Sequence, residues 1–451
     1  MSIAFLMATE SLAPVAAITN FILGVITIKM SNRGEADDTH RRFAALMIGW
    51  VFINSAVYHL AESILDYYPS GSFGQTSIDF GIYEFQGIIG YDTAVLMLFG
   101  FQATMNILML VIALHLPHDI GKGNLWNAVI IAGIAIYVII VPPIIILTGF
   151  KYAALQNFIW AIVGLFWTHT YVRAIINEAQ TGDEKYRSIS KASAILLIAW
   201  IGHTMIWWLS AYTFLNNEWF VSVLTTFEDP PSALWLIAVN LGWSIGAVTI
   251  VTLTICESYR AIKKGPSAIS IIVFALAIIG FLNWIQDTIL IDYYYNCLEG
   301  DCTGEYPAII DLYNYLTGGI LVYLIKPLLF VYLMIQFKLI DTSSEKNRNL
   351  MRMMVILVLL IVSSSLIELV QSLIPIPQMV TGTLLAIGVV FFVGWEEKIT
   401  SKFVNQGNLD DLESIKGGGF NESMLRNTSF LMMFLIFYIV VVSMILAATG
   451  A

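Results

Sequence analysis

Long apolar runs, separated by short polar segments, fill the sequence from end to end. Apolar positions are continuous within each run rather than alternating with polar ones, which favours helices over strands. A run of about 20 such residues crosses the hydrocarbon core of a bilayer as a helix. We therefore predict an all-α integral membrane protein with about twelve transmembrane helices, near residues 10–30, 44–64, 92–115, 125–149, 154–176, 192–214, 233–256, 268–290, 314–337, 350–373, 378–396 and 427–449.

Several segments of the first half recur, in the same order, in the second half. Segment 84–91 (EFQGIIGY) is similar to segment 305–313 (EYPAIIDLY), and three further pairs show a nearly constant shift of about 221–225 positions. A constant shift indicates an internal duplication. We predict two six-helix repeats, residues 1–225 and 226–451. Because six is even, both halves enter the membrane from the same side, so the repeats are parallel.

Basic residues occur almost only in alternate loops between the predicted spans. The other loops hold Lys151 as their one basic residue and are rich in Asp and Glu. Basic loops mark the cytoplasmic side, so we predict a multi-pass protein of the cell membrane with both termini outside. The N-terminus has no basic segment ahead of its apolar run, and we expect no cleavable signal peptide. The basic loop residues are Arg33, Arg41, Arg42, Lys185, Arg187, Lys191, Arg260, Lys263, Lys264, Lys338, Lys346, Arg348, Arg352, Lys398, Lys402, Lys416 and Arg426.

Composition agrees with a bilayer protein and argues against several other classes. Charged residues make up 12% of the chain, against about 25% in soluble globular proteins. The formal charge of −10 comes without a basic stripe, so we expect the lipid bilayer and no nucleic acid as a partner. Catalytic signatures and zinc-type Cys/His spacings are missing from the sequence, and we expect neither an enzyme nor a metal site.

Ionisable residues inside the predicted spans are the best pointers to function, because a charge in the bilayer is costly. Lys326 lies near the middle of the ninth span, and Pro327 after it interrupts the helical hydrogen bonding. The eighth and tenth spans each carry two polar residues on one helical face: Asn283 with Asp287, and Glu368 with Gln371.

We predict that the Lys326 ammonium lies within about 4–6 Å of Asp287 or Glu368. Such a set would be either a neutralised pair that stabilises the bundle or part of a proton or cation pathway. The second span carries His59 and Glu62, where the eighth has Trp284 and Asp287. The polar interiors of the two repeats therefore differ.

Histidines raise the question of a haem, since two intramembrane imidazoles can ligate one iron. His59, His169 and His203 lie at different depths of the second, fifth and sixth spans, which does not suit one haem. Hydrogen-bonded packing histidines are the favoured interpretation, and the cofactor stays unassigned.

The predicted outer loops combine aromatic and acidic residues. Glu84 and Glu305 occupy equivalent places in the two repeats, which predicts an outer vestibule that attracts cations. An aromatic belt at the membrane interface is the simpler alternative. Cys297 and Cys302 share one outer loop, where an oxidising compartment permits a disulfide.

Two functional classes follow from this sequence. The first is a protein that moves a proton, a cation or a small cationic solute between two pseudo-symmetric halves. The second is a membrane sensor or a scaffold subunit of a larger complex, with partners that the sequence does not identify. A haem b electron carrier is a third class, with weaker support from the histidine positions.

Overall fold

The computed structural model describes residues 12–32, 39–65, 77–79, 84–86, 91–117, 132–133, 139–140, 155–213, 233–275, 277–278, 322–336, 339, 345–373 and 422–449. Long helices dominate this part of the chain, as the apolar runs predict. They are α1 (Ala13–Ser31), α2 (Thr39–Leu65), α3 (Tyr91–His115), α4 (Leu155–Thr181), α5 (Glu184–Thr213), α6 (Ala233–Lys264), α7 (Val322–Gln336), α8 (Glu345–Leu373) and α9 (Glu422–Thr449).

Seven helices in the described part are long and apolar enough to cross a membrane. Each overlaps one of the predicted spans, so several helices able to cross a membrane are confirmed. The apolar segment Tyr323–Ile335 of α7 is shorter. Predicted spans 125–149, 268–290 and 378–396 lie wholly or mostly outside the described residues, so the count of twelve and the two-repeat layout stay predictions. The seven are Ala13–Ser31, Arg42–Ile64, Leu96–His115, Ile159–Thr181, Ile245–Lys264, Asn347–Leu366 and Arg426–Ile445.

Helices extend further than hydropathy suggests. We expected a loop over residues 177–191, but α4 and α5 leave only Gly182 and Asp183 between them. Gly182 has a φ of +70°, and Gly265, directly after α6, has a φ of +87°. Glycine closes a helix in this left-handed conformation without steric cost. Glu, Lys and Arg are good helix formers, so these helices continue after their apolar runs have ended.

One short hairpin departs from the all-helical expectation. Strands β1 (Ser77–Asp79) and β2 (Glu84–Gln86) pair antiparallel, with Ser77 opposite Gln86 and Asp79 opposite Glu84. Hydropathy does not reveal strands of three residues, because they are shorter than the alternation that identifies a strand.

The chain divides into two compact units. Unit 1 comprises residues 1–159 and 319–451, and unit 2 comprises residues 160–318. This division is based on contacts in three dimensions, whereas the predicted halves 1–225 and 226–451 are based on sequence similarity. The units therefore do not test the prediction of two repeats. Unit 1 contains α1–α3 and α7–α9, and unit 2 contains most of α4 together with α5 and α6.

Within unit 1, α1 and α2 form a close antiparallel pair. A Cβ atom at Gly24 would lie 2.7 Å from the Ile53 side chain, and one at Gly49 would lie 2.7 Å from Ile28. The numbering runs in opposite directions along this contact, as expected for sequential helices with a short connection.

Unit 2 has its own packing. A Cβ at Gly164 of α4 would lie 2.4 Å from the indole ring of Trp200 on α5. The Trp200 Nε1–H donates to the Trp160 carbonyl at 3.0 Å. Hydroxyls of Thr168 and Thr249 join α4 to α6 at 3.1 Å. Because Gly164 has no side chain, the Trp200 indole of α5 lies directly against α4.

Candidate functional site

Helix α2 carries an ionisable cluster near its C-terminal end. Tyr58 and His59 both lie near Glu62 on the helix surface, because they precede it by four and three positions. His59 Nδ1 lies 2.9 Å from Glu62 Oε2. The His59 side chain is 1% exposed, whereas that of Glu62 is 30% exposed. The pair thus joins a buried imidazole to a carboxylate that is still accessible.

Helix α7 crosses α2 in the antiparallel sense and adds a cation. Phe330 and Phe52 meet edge to face at 6.0 Å between centroids, and Tyr323 lies 4.9 Å from the His59 ring. Lys326 falls between these two contacts. Its Nζ lies 5.9 Å from the centroid of the Tyr58 ring, a cation–π distance.

The charges of this site act on one another without a closed ion pair. The charge of Glu62 reaches the Lys326 ammonium, and that of Lys326 reaches His59. Among the residues that the structure describes, no carboxylate lies within 4.0 Å of the ammonium. We call Tyr58, His59, Glu62, Tyr323 and Lys326 the α2–α7 cluster. It offers a hydrogen-bonded acid–base pair beside a cation that faces an aromatic ring.

The structure brings together three residues that the sequence singled out separately: Lys326, Glu62 and His59. The expected partners of the lysine were different. Asp287 and Asn283 lie outside the described residues, and Glu368 and Gln371 belong to α8, although the description does not extend to their side chains. Glu62 was predicted only as part of the polar interior of the first repeat, and its influence on Lys326 across the two predicted repeats is new.

Other predicted residues are only partly described. Glu84 belongs to β2, while Glu305, Cys297 and Cys302 lie outside the described residues, so the vestibule and the disulfide stay predictions. His169 is exposed on α4 in unit 2. Groups of three or more potential metal ligands are absent from the part of the chain that the structure describes.

Unit 2 contains a second polar cluster that the sequence argument missed. Arg260 of α6 makes ion pairs with Glu178 of α4 and with Glu257, its neighbour one turn back on α6. The distance from Arg260 Nη1 to Glu257 Oε1 is 3.0 Å. Arg260 Nη2 also donates to the Ser190 hydroxyl of α5. One guanidinium therefore joins three helices.

Two further contacts complete this Arg260 cluster. The Tyr171 hydroxyl donates to Glu257 Oε1 at 2.8 Å, and Lys264 Nζ donates to Glu178 Oε1 at 3.0 Å. Glu178 and Glu257 are 8% and 1% exposed. From the sequence, the basic residues here predict only the cytoplasmic side of the membrane. The positions of Glu257, Arg260 and Lys264, three and four apart, were the available signal for one charged face.

The chain was compared with protein families, with curated proteins and with solved structures. None of these comparisons gave a match. The two clusters, together with the helices that are able to cross a membrane, are therefore the features that bear on function.

Proposed function

We propose that this membrane protein translocates a proton, a cation or a small cationic solute, and that the α2–α7 cluster is the site through which it passes. The observation that carries the proposal is the Lys326 ammonium beside the Glu62–His59 pair, on two helices that are mostly apolar. Ionisable groups at such places are typical of ion and proton pathways.

Energetics support a role beyond packing. A lysine near the centre of a membrane helix costs about 2.5–3.5 kcal/mol on insertion scales. A purely stabilising lysine would recover that cost through a close ion pair with all its donors satisfied. The described neighbours of Lys326 instead offer an aromatic face and a carboxylate beyond ion-pair distance. A lysine charge that its described neighbours balance only in part is suited to a site that binds and releases a solute.

The test is flux in proteoliposomes that hold the purified protein. Uptake of protons, Na⁺, K⁺ and tetramethylammonium is measured for the wild type and for the double variant Lys326→Met with Glu62→Gln. We expect the double variant to keep the thermal unfolding temperature of the wild type in detergent, because it leaves no lone buried charge, and to lose the flux.

Lys263→Met is the matched control. Its Nζ lies 6.0 Å from the centroid of the Tyr259 ring, a similar cation–π distance in unit 2. Flux should survive in this variant. Undiminished flux in the folded double variant would contradict the proposal. A wild-type protein that moves none of the four solutes would favour a sensor or a scaffold subunit.

The finer topology is part of the same proposal: twelve spans in two parallel repeats, in the cell membrane, with both termini outside. Its support is the distribution of Lys and Arg among the loops. Single cysteines at positions 84 and 305, in a protein freed of Cys256, Cys297 and Cys302, should react with an impermeant reagent from outside intact cells. Cysteines at positions 263 and 346 should react only after permeabilisation, and the reverse pattern would overturn the orientation.

A further inference from the structure

We infer that the translocated species is the proton, and that the Glu62–His59 pair is its binding site. This inference rests on the proposed function and narrows it to one substrate. The charges of the α2–α7 cluster, the geometry of the pair and the partial exposure of Glu62 carry it.

The charge balance argues against larger cations. Glu62 is the one described carboxylate whose charge acts on Lys326, so a cation bound at Glu62 would also meet the positive charge of the ammonium. A metal ion needs several oxygen or nitrogen ligands, and the described side chains at this site offer one carboxylate and one imidazole as charged or strong ligands. An organic cation would meet the field of the ammonium next to the aromatic face. A proton needs only one acceptor atom.

The Glu62–His59 geometry suits a proton. The distance of 2.9 Å from Nδ1 to Oε2 is that of an ordinary hydrogen bond, along which a proton can pass between the two groups. Glu62 is 30% exposed and His59 is 1% exposed, so the carboxylate is the accessible member and the imidazole the buried one. Imidazole can take a proton at one ring nitrogen and give one from the other.

The transfer step is a balanced exchange of N–H and O–H bonds. Glu62 accepts a proton from the accessible side and passes it along the 2.9 Å contact to His59 Nδ1, in the tautomer where that nitrogen is unprotonated. The proton on Nε2 then passes to a water molecule, so one proton is taken up at Glu62 and one is released from His59. The carboxylate is again ionised, and the imidazole is neutral with its proton on Nδ1. Rotation of the ring about the Cβ–Cγ bond then turns the unprotonated Nε2 towards Glu62 for the next proton.

Other titratable groups around α2 do not form a competing site in the described residues. Helix α7 contributes Tyr323 and Lys326, both within the cluster. Lys29 of α1 and His115 of α3 lie towards the opposite end of α2, since His115 packs on Phe43 and position 28 lies against Gly49. Helix α9 contributes the exposed Arg426 and Tyr438, whose hydroxyl bonds to the Ile139 carbonyl.

The experiment uses proteoliposomes with an internal pH dye and an imposed pH gradient, with the membrane potential clamped. We expect wild-type proton flux that does not depend on Na⁺, K⁺ or tetramethylammonium. Glu62→Gln and His59→Asn should each slow it by about 10²-fold or more, the typical contribution of a positioned acid or base. His169→Asn is the matched control, because that exposed histidine lies in unit 2.

The possible results distinguish a failure of the proton assignment from a failure of the transport proposal. Uptake of Na⁺, K⁺ or tetramethylammonium without a pH change would overturn the proton assignment and leave transport standing. Proton flux of wild-type size in folded Glu62→Gln and His59→Asn would overturn the choice of site. A wild type that moves no solute would overturn both. Thermal unfolding in detergent confirms that each variant is folded.

Discussion

The α2–α7 cluster of unit 1 and the Arg260 cluster of unit 2 both combine acidic and basic side chains, but the two clusters differ in how these charges are paired. In unit 2, Arg260 and Lys264 face Glu178 and Glu257, and both carboxylates accept bonds from charged donors. In unit 1, Lys326 faces the Tyr58 ring and lies beyond ion-pair distance of the described carboxylates. In unit 2, two basic side chains form ion pairs with two carboxylates. In unit 1, no described carboxylate forms an ion pair with Lys326.

This difference distinguishes a structural network from a candidate transport site. A buried ion pair repays its desolvation only when its geometry is good and the remaining polar atoms are satisfied. The Arg260 cluster meets that condition across three helices, so we interpret it as a clamp. Among the described residues, the α2–α7 cluster holds no carboxylate within ion-pair distance of Lys326, which fits the proposal that this site binds and releases a charge.

Removal of Arg260 should have the largest effect on stability. Arg260→Met leaves two buried carboxylates without their shared partner, and loss of one member of a buried pair costs about 3–5 kcal/mol. We expect a clear fall in the thermal unfolding temperature in detergent. The triple variant with Glu178→Gln and Glu257→Gln should recover most of it, because no lone buried charge remains.

Lys264→Met is the control for that experiment. Its side chain is 57% exposed, so its loss should cost only about 0–1 kcal/mol. The solute flux of the triple variant also tests whether the Arg260 cluster takes part in transport. If the clamp is structural, the folded triple variant transports at the wild-type rate, and a loss of flux would place the Arg260 cluster in the pathway.

An added methyl group at Gly164 should have the next largest effect. The new Cβ would lie 2.4 Å from the rigid Trp200 ring, and overpacking of this kind costs about 1–3 kcal/mol. Gly164→Ala should lower the unfolding temperature. Gly246→Ala on α6 is the control, since a Cβ there meets no atom within 4 Å, and a gain of about 0.5–1 kcal/mol is expected. Equal behaviour of the two variants would contradict the packing described for unit 2.

The smallest effect should come from the aromatic face under Lys326. Tyr58→Leu removes a cation–π contact worth about 0.5–2 kcal/mol, so we expect a modest fall in stability and a change in flux. Tyr58→Phe keeps the ring and should resemble the wild type in both measurements. A Phe variant as impaired as the Leu variant would show that the hydroxyl, and not the ring, is what matters at this position.

Much of the helical architecture was accessible from the sequence, because a bilayer restricts spanning segments to a few forms. The seven candidate membrane-crossing helices all overlap predicted spans, and the residues Lys326, Glu62 and His59 were singled out from their place in apolar runs. Helix ends were less accessible. The turn at Gly182 and Asp183 replaced a predicted loop because charged helix formers continue α4 and α5 beyond their apolar runs.

The sequence by itself determined that the chain is rich in helices long and apolar enough to cross a membrane, and which ionisable residues lie in its apolar runs, because length and hydrophobicity are local properties. Only the tertiary structure decided which of them meet. We predict Asp287 or Glu368 beside Lys326, and this pairing stays a prediction because neither side chain is described; in the described part of the chain the Lys326 ammonium lies 5.9 Å from the Tyr58 ring of α2 and within reach of the charge of Glu62. Arg260 likewise joins Glu178 and Ser190, which are 82 and 70 positions away. Such pairings depend on how helices cross and rotate, and a linear pattern of apolar and polar residues carries no information on that geometry.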